Sequence, residues 1–341
     1  MLRFLSSLFK TTAEQTDGLD EALIETAIER VVAGTDPRIR AIRQYRKRLR
    51  LPVEKAIIHV ISLVDTLPAP IEINPRTYSV DPRLHAFFIS TNQLREVFRS
   101  SKTVRDYLTD KTTPLPEKVF GLLSMAMEER KVLGVELVDN TLRRDVMQVT
   151  VNFSNHRYVG PASNELNTRR ELKKRAFDFL IAKALECITN ERSKRRELDR
   201  QRHLLKRKHD VMKTGNWGLG AMLTDVECQR PDLAALEKEI EAIDKALGHI
   251  HTDNLGLEES LMCVAEALSH PAAWLASREI CLRLDSMGIK IQDSSAALSK
   301  EIELTELFSS TGERRIVFLG YIARTDIPEP PDLWQKAERY L

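Results

Sequence analysis

The sequence predicts an α+β protein that is predominantly helical, with a long antiparallel coiled-coil hairpin (about 164–253) inserted in a domain built on a mostly antiparallel sheet. Three observations lead to this fold class. The segment 163–214 contains neither Gly nor Pro, which predicts a very long helix. Apolar residues then recur in a heptad pattern over 233–250. Runs of β-forming residues lie on both sides of this hairpin, at 132–159 and 279–323.

Composition supports a largely helical chain. With 30% charged and only 6% aromatic residues, the 341-residue protein favours long solvated helices over a β-rich body. Its four cysteines are spread singly without a C-x-x-C spacing, which indicates neither a zinc site nor a disulfide framework and suits a reducing compartment. No apolar run reaches the roughly 18 residues that a transmembrane helix requires. We therefore expect a cytoplasmic location, with peripheral attachment to the inner face of a membrane as an option.

The first ten residues form an amphipathic segment (1–10). On a helical wheel its apolar side chains occupy one arc, opposite Arg3 and Lys10. Ten residues are too few to be helical alone in water, so the segment is expected to fold only against something apolar. A membrane interface, a partner protein and the protein's own body all remain open. The docking residues would be Leu2, Phe4, Leu5, Leu8 and Phe9.

The region 19–112 is predicted to be helical. Apolar residues at intervals of three and four stop at Gly34, which is expected to be a C-terminal cap. Asp36-Pro37 and Asp81-Pro82 each have the pattern of an N-cap followed by Pro at the first helical position. Pro52 is predicted to divide 39–67 into two helices.

Two polar features of this helical region are assigned to structure rather than to a site. His59 lies within an apolar run and is predicted to be a buried or boundary histidine, not a ligand. The basic run 38–50 is distributed around its helix, which suits a solvated surface better than a stripe that follows a groove.

The α+β body is predicted to combine 113–162 with 255–327. Its first part is expected to be a helix over 117–130, followed by strands at 132–138 and 146–153 joined by a turn at 139–141, and a third strand at 156–159. Its second part is expected to hold a helix at 257–268 and strands at 279–284, 302–308 and 315–323. A short helix in the tail 328–341 would end the chain.

The hairpin is predicted to occupy 163–254. Its first helix would begin near Ser163, or at the capping box of Thr168 and Glu171, and would continue to Gly215. Its second half, 191–213, holds ten basic and four acidic residues, whereas 232–253 holds six acidic and two basic residues. We expect these opposite charges to flank a seam between the two helices. The seam residues are Leu198, Leu205 and Met212 on the first helix, and Leu233, Leu236, Ile240, Ile243, Leu247 and Ile250 on the second.

The connector 214–231 is predicted to be the tip of this hairpin. It contains three glycines, and its apolar residues would have no core of their own if the hairpin projects. Exposed apolar residues on an arm are typical of a partner contact. The alternative is that the tip folds back on the body. The candidate partner-binding residues are Trp217, Leu219, Met222 and Leu223.

Common catalytic motifs do not occur in the sequence. His249 and His251 approach a metal-ligand spacing, but they end a heptad helix, where residues two apart point in nearly opposite directions. The sequence therefore nominates no catalytic residue, no cofactor-binding residue, no metal ligand and no cofactor.

The favoured interpretation is a scaffold or adaptor protein with a protein partner. The first alternative is a nucleic-acid-binding protein that uses the basic helix 191–213, although that helix contains no aromatic residue for stacking. The second is an enzyme with an unrecognised site. The polyanion contacts of the first alternative would be Arg195, Arg196, Arg207 and Lys208. The oligomeric state is left open.

Overall fold

The computed structural model describes residues 20–109, 116–138, 141–213, 233–248, 255–285, 287–291 and 300–328. The protein mixes helix and sheet, as predicted. Its contacts divide it into two compact units. The helical unit contains the described residues of 20–56 and 179–270, and the sheet unit contains those of 57–178 and 271–328.

The helical unit begins with α1 (Glu21–Gly34), whose first turn is capped by the Asp20 side chain. A 3₁₀ turn (Pro37–Ala41) follows, with Asp36 as its cap as predicted. The other helices that contribute to this unit are α2 (Tyr45–Asp65), α7 (Glu165–Lys213), α8 (Leu233–Gly248) and α9 (Leu255–Ser269). Helix α7 has 49 residues, so the prediction of one very long helix is confirmed.

Gly34 is the last residue of α1 but not its cap, so the prediction of a glycine cap is wrong. The capping position is Thr35, and Gly34 does not have the positive φ of a glycine cap. A Cβ at Gly34 would lie 2.7 Å from Cγ2 of Ile181 on α7. The glycine therefore permits close packing of α1 against α7.

The prediction that Pro52 divides two helices is wrong, because α2 continues through it. Leu49, Val53 and Ala56 lie at helical intervals around the proline and are completely buried. Burial of this face outweighs the backbone hydrogen bond that proline cannot donate. The chain turns earlier, at Gln44, which has a φ of 65°.

The sheet unit contains five main strands in the order β3-β2-β6-β5-β4, and every neighbouring pair is antiparallel. They are β2 (Lys118–Val138), β3 (Thr141–Ala162), β4 (Leu275–Leu284), β5 (Lys300–Ser309) and β6 (Arg314–Ala323). The short β1 (Ile71–Glu72) pairs in parallel with β6. The mostly antiparallel sheet is therefore confirmed. The unit's short helices are α3 (Pro75–Val80), α4 (Pro82–Phe87), α5 (Thr91–Ser100), α6 (Lys102–Thr109) and α10 (Pro271–Trp274).

The helix predicted over 117–130 is wrong, because these residues belong to β2. From Phe120 to Met125, β2 lies between β3 and β6. Val119, Leu123 and Met125 enter the large core of the sheet unit, whereas Leu122 enters a second cluster. Leu, Met, Ala and Glu favour helix in isolation, but pairing on both edges overrides that preference here.

The two outer strands of the sheet are joined by residues 287–291. The N–H of Val151 in β3 donates to the carbonyl of Gly288 at 2.8 Å, and the N–H of Lys290 donates to Val149 O at 2.8 Å. The N–H of Ile291 donates to Arg283 O in β4 at 2.9 Å. The sheet is thus curled, and part of the free edge of β3 is covered. Gly288 has a φ of 77°, which favours glycine at this crossing.

Candidate interaction surfaces

Helices α7 and α8 contact each other in antiparallel order through one ion pair and one histidine–carboxylate contact. Nε of Arg202 lies 2.5 Å from Oδ1 of Asp244, and Nε2 of His209 lies 3.2 Å from Oε1 of Glu237. From the first contact to the second, the position on α7 advances by seven residues toward the C-terminus, whereas the position on α8 moves by seven residues toward the N-terminus. Because a heptad brings a side chain back to the same face, both pairs lie on one flank of the two helices.

Burial on α8 follows the predicted heptad positions. Leu236 and Leu247 are buried, with 7% and 4% of their surface exposed, and Ile240 and Ile243 are half-buried. Leu233, the first of the predicted seam positions, is 41% exposed. The burial of α8 agrees with a helix that packs along one face.

The pattern on α7 contains a position that sequence reasoning missed. Its half-buried residues include Leu198 and Leu205, as expected, and also Arg195, Arg202 and His209. These three basic residues are seven residues apart. Each lies three residues before or four residues after one of the two leucines. Their periodicity was visible in the sequence, but basic residues are not counted when a seam is sought by its apolar positions. The side chain of Met212 lies outside the described part of the chain.

The start of the basic segment 191–213 is fixed by a buried carboxylate. Asp36 is only 6% exposed and accepts hydrogen bonds from Arg38 Nε at 3.1 Å and Arg38 Nη2 at 2.9 Å. Nη2 of Arg192 also donates to Asp36, and it lies 3.2 Å from Oγ of Ser260 on α9. The hydrogen bonds from Arg38, followed by those from Arg192, lower the pKa of Asp36 to about 2.

The second basic run, 38–50, is largely paired with acids of the helical unit. Glu29 binds both Arg40 Nε at 3.1 Å and Arg46 Nη2 at 3.0 Å. Arg50 pairs with Glu21 and Glu54, and Arg48 pairs with Glu258. These arginines are exposed, but each of them forms an ion pair with an acidic residue of the same chain.

Four basic residues of α7 form a second surface, here called the outer row. They are Arg196, Arg200, His203 and Arg207. All four are exposed, and they form no ion pair with an acid of the described ranges. Of the polyanion residues nominated from sequence, Arg196 and Arg207 lie in this row, Lys208 is exposed beside it, and Arg195 is half-buried.

Two surface cavities are lined by polar and charged side chains of the described residues. One of about 370 Å³ lies in the helical unit, and its charged lining mixes three arginines with three glutamates. Cys263 lines it, and burial together with the neighbouring Cys187 raises the pKa of Cys263 to about 12, which makes this thiol a poor nucleophile at neutral pH. The other, of about 490 Å³, lies in the sheet unit and includes Tyr107, Asn167 and Lys174. The described residues contain no group of three or more potential metal ligands.

His59 is half-buried, and its Nε2 lies 2.7 Å from the carbonyl oxygen of Leu275. This hydrogen bond engages one ring nitrogen of His59 with the backbone of the sheet unit. It agrees with the prediction of a buried or boundary histidine that is not a ligand.

Several predicted features lie outside the described residues. They are the N-terminal docking residues Leu2, Phe4, Leu5, Leu8 and Phe9, the tip residues Trp217, Leu219, Met222 and Leu223, the histidines His249 and His251, and the tail helix. Among the helices that are described, none combines the length and apolar composition needed to cross a membrane. Comparison with known proteins finds no matching family model, no matching curated protein and no matching solved structure.

Proposed function

We propose that the protein is a scaffold or adaptor in which α7 and α8 form an antiparallel coiled-coil hairpin that presents the connector 214–231 to a protein partner. The observation that carries this proposal is the register of Arg202 with Asp244 and of His209 with Glu237. Such a register is what a heptad hairpin requires. It also brings the end of α7 and the start of α8 to the same end of the arm, next to the connector.

The ion pairs contribute specificity more than stability. Exposed pairs are each worth only about 0.2–1 kcal/mol, so the apolar seam around Leu236 and Leu247 must supply most of the packing energy. The charges instead select which helix pairs with which, and in which direction. An arm fixed in this way suits a protein that holds a recognition surface away from its body.

A nucleic-acid function has weaker support. Arg192, Arg202 and Lys206 are paired with Asp36 or Asp244, which lie outside the basic segment. This pairing lowers the charge that is available to phosphates. We therefore prefer a protein partner for the arm.

The proposal is tested at the connector. In the full-length protein, Trp217→Ala combined with Leu219→Ala is expected to abolish proximity crosslinking to a partner without changing the thermal unfolding curve. A matched control replaces two exposed apolar residues elsewhere, Leu166 and Met262, by Ala. Retention of every crosslinked partner by the connector variant would contradict the proposal.

The proposal includes a reducing, cytoplasmic compartment and a peripheral membrane tether formed by the amphipathic segment 1–10. The described cysteines Cys187, Cys263 and Cys281 are unbridged, which supports the compartment.

Two cations opposite an apolar arc support the tether. Flotation with phosphatidylserine vesicles is expected for the full chain and not for Leu5→Glu with Leu8→Glu. Thr11→Glu with Thr12→Glu controls for added charge, and equal flotation of all three proteins would contradict the tether.

A further inference from the structure

We propose that the outer row of α7 is a docking surface for an acidic amphipathic helix of a partner protein. This inference rests on the proposed function in one respect, since it requires α7 and α8 to form the arm. It concerns a different face from the connector, however, and names the chemistry of what would bind there.

The geometry of the outer row suits a helical partner. Arg196, Arg200, His203 and Arg207 are separated by four, three and four residues. At about 100° per residue they fall within an arc of about 60°, and at 1.5 Å per residue they extend over about 16 Å. A straight row of this length can contact three turns of a second helix along one side.

The row faces away from α8. On the same helical wheel its centre lies about 160° from that of Leu198, Arg202, Leu205 and His209, the side that contacts α8 or is half-buried with it. A partner on the outer row would therefore leave the α7–α8 contacts in place.

Within the described ranges, the three arginines of the outer row are exposed cations that form no ion pair. Arg192, Lys194, Arg202 and Lys206 of the same basic segment each pair with an acid. Within the described ranges, no carboxylate pairs with a member of the outer row. Four exposed basic side chains aligned on one face favour a ligand with acids at matching intervals.

An acidic helix fits better than a lipid or a nucleic acid because of Leu204. This side chain is 55% exposed and lies next to the row, four residues after Arg200 and three before Arg207. It offers an apolar contact that a partner helix can meet with one aliphatic residue. Insertion into a membrane interface needs a wider apolar face, and single-stranded nucleic acid needs aromatic residues, which 191–213 lacks.

The test uses the full-length protein and a fluorescent peptide. The peptide is a helix of about three heptads with Glu at intervals of four, three and four and one Leu beside them. Fluorescence anisotropy is compared for the unmodified protein, for Arg196→Gln/Arg200→Gln/Arg207→Gln, and for the control Lys194→Gln/Lys208→Gln/Lys213→Gln. The two variants lose the same charge from the same helix, but only the first removes it from the outer row.

We expect binding by the unmodified protein and the lysine control to agree within about twofold, and binding by the arginine variant to weaken at least about tenfold. The variant Leu204→Glu is also expected to bind more weakly. Equal loss in both triple variants, or equal binding of a scrambled peptide of the same composition, would show a nonspecific charge effect and overturn the proposal. Row-dependent binding of duplex DNA or phosphatidylserine vesicles in the absence of peptide binding would also overturn it.

The connector variant Trp217→Ala/Leu219→Ala separates this inference from the proposed function. It is expected to bind the acidic peptide normally even though it loses its crosslinked partner. Peptide binding without partner loss would contradict only the proposed function, and partner loss without peptide binding would contradict only the docking surface.

Discussion

Arg192 donates a hydrogen bond to the buried carboxylate of Asp36, and the same Nη2 atom lies 3.2 Å from Ser260 Oγ. Asp36 also caps the 3₁₀ turn by accepting from the N–H of Arg38 at 3.1 Å. One carboxylate thus connects the turn after α1 with α7, and Arg192 extends the connection to α9. The first residues of the basic segment are therefore held in place by this hydrogen-bond network as well as by apolar packing.

Asp36→Asn is expected to destabilise the helical unit by about 2 kcal/mol, since the arginines lose a charged acceptor at a buried position. Asn retains the capping oxygen, so the loss reports mainly on the charge. The measurement is the midpoint of urea unfolding at neutral pH. Ser260→Ala is the milder comparison, with an expected loss of about 1 kcal/mol. An unchanged midpoint for Asp36→Asn would contradict the role of this carboxylate.

The stability difference between the unmodified protein and Asp36→Asn is expected to depend on pH. The pKa of Asp36 falls from 3.8 to about 2 on folding, so the charged form is favoured in the folded state. This contribution, about 2 kcal/mol, is fully present above pH 3.8 and is lost as the pH falls through 2. Urea unfolding of both proteins between pH 5 and pH 2 checks it. A difference that is the same at every pH would show that Asp36 does not titrate in this way.

Much of this fold follows from local pattern. The long helix was predicted to begin near Ser163 or at the capping box of Thr168 and Glu171, and it begins at Glu165. It continues without a break because the segment contains no Gly or Pro to interrupt it. The strands predicted at 279–284, 302–308 and 315–323 lie inside β4, β5 and β6. In these segments the period of the apolar residues and the preference of the individual residues agree.

The secondary-structure predictions are wrong where tertiary contacts override the local preference of the sequence. Around Pro52, burial of Leu49 and Val53 keeps a helix intact across a residue that disfavours it. Over 120–125, pairing with two neighbouring strands turns a helix-favouring composition into a strand. The outer row was also missed as a unit, because the sequence shows only that 191–213 is basic. Which cations are already paired, such as Arg202 with Asp244, depends on a contact between distant segments.

A charge exchange between Arg202 and Asp244 tests the register of α7 with α8. Arg202→Asp and Asp244→Arg are each expected to speed hydrogen exchange of the α8 amides by about threefold to tenfold, since each places like charges together. The double variant restores an opposite pair and is expected to return exchange close to the original rate. Mass spectrometry of peptides from 233–248 measures the effect.

The control for this exchange is a pair within α8. Nζ of Lys245 lies 2.9 Å from Oε1 of Glu241, one turn earlier on the same helix. Exchanging these two residues alters the charges of α8 without touching α7. If the single variants Lys245→Glu and Glu241→Lys accelerate exchange as much as the changes at Arg202 and Asp244 do, the α7–α8 register is not what protects α8.

Gly121→Ala is expected to destabilise the sheet unit by about 2–4 kcal/mol. A Cβ at Gly121 would lie 2.5 Å from Cε1 and 2.9 Å from the hydroxyl oxygen of Tyr158. That ring is only 2% exposed and packs edge to face on Phe98. Its hydroxyl lies 3.0 Å from the carbonyl oxygens of both Val119 and Gly320. The ring therefore cannot move without losing core packing and a buried hydrogen bond.

Gly134→Ala is the matched control. It tests whether the cost of an added Cβ depends on how easily the neighbouring side chain can move, and not on the contact distance alone. Its added Cβ would lie 1.9 Å from Oε1 of Gln148, which is closer than any contact at Gly121. Gln148 is a flexible side chain on the exposed part of the β2–β3 pair, so it can rotate away at little cost. We expect a change of less than about 1 kcal/mol for Gly134→Ala, measured with Gly121→Ala by thermal unfolding. If Gly134→Ala were the more damaging change, the buried Tyr158 would not be what requires glycine at position 121.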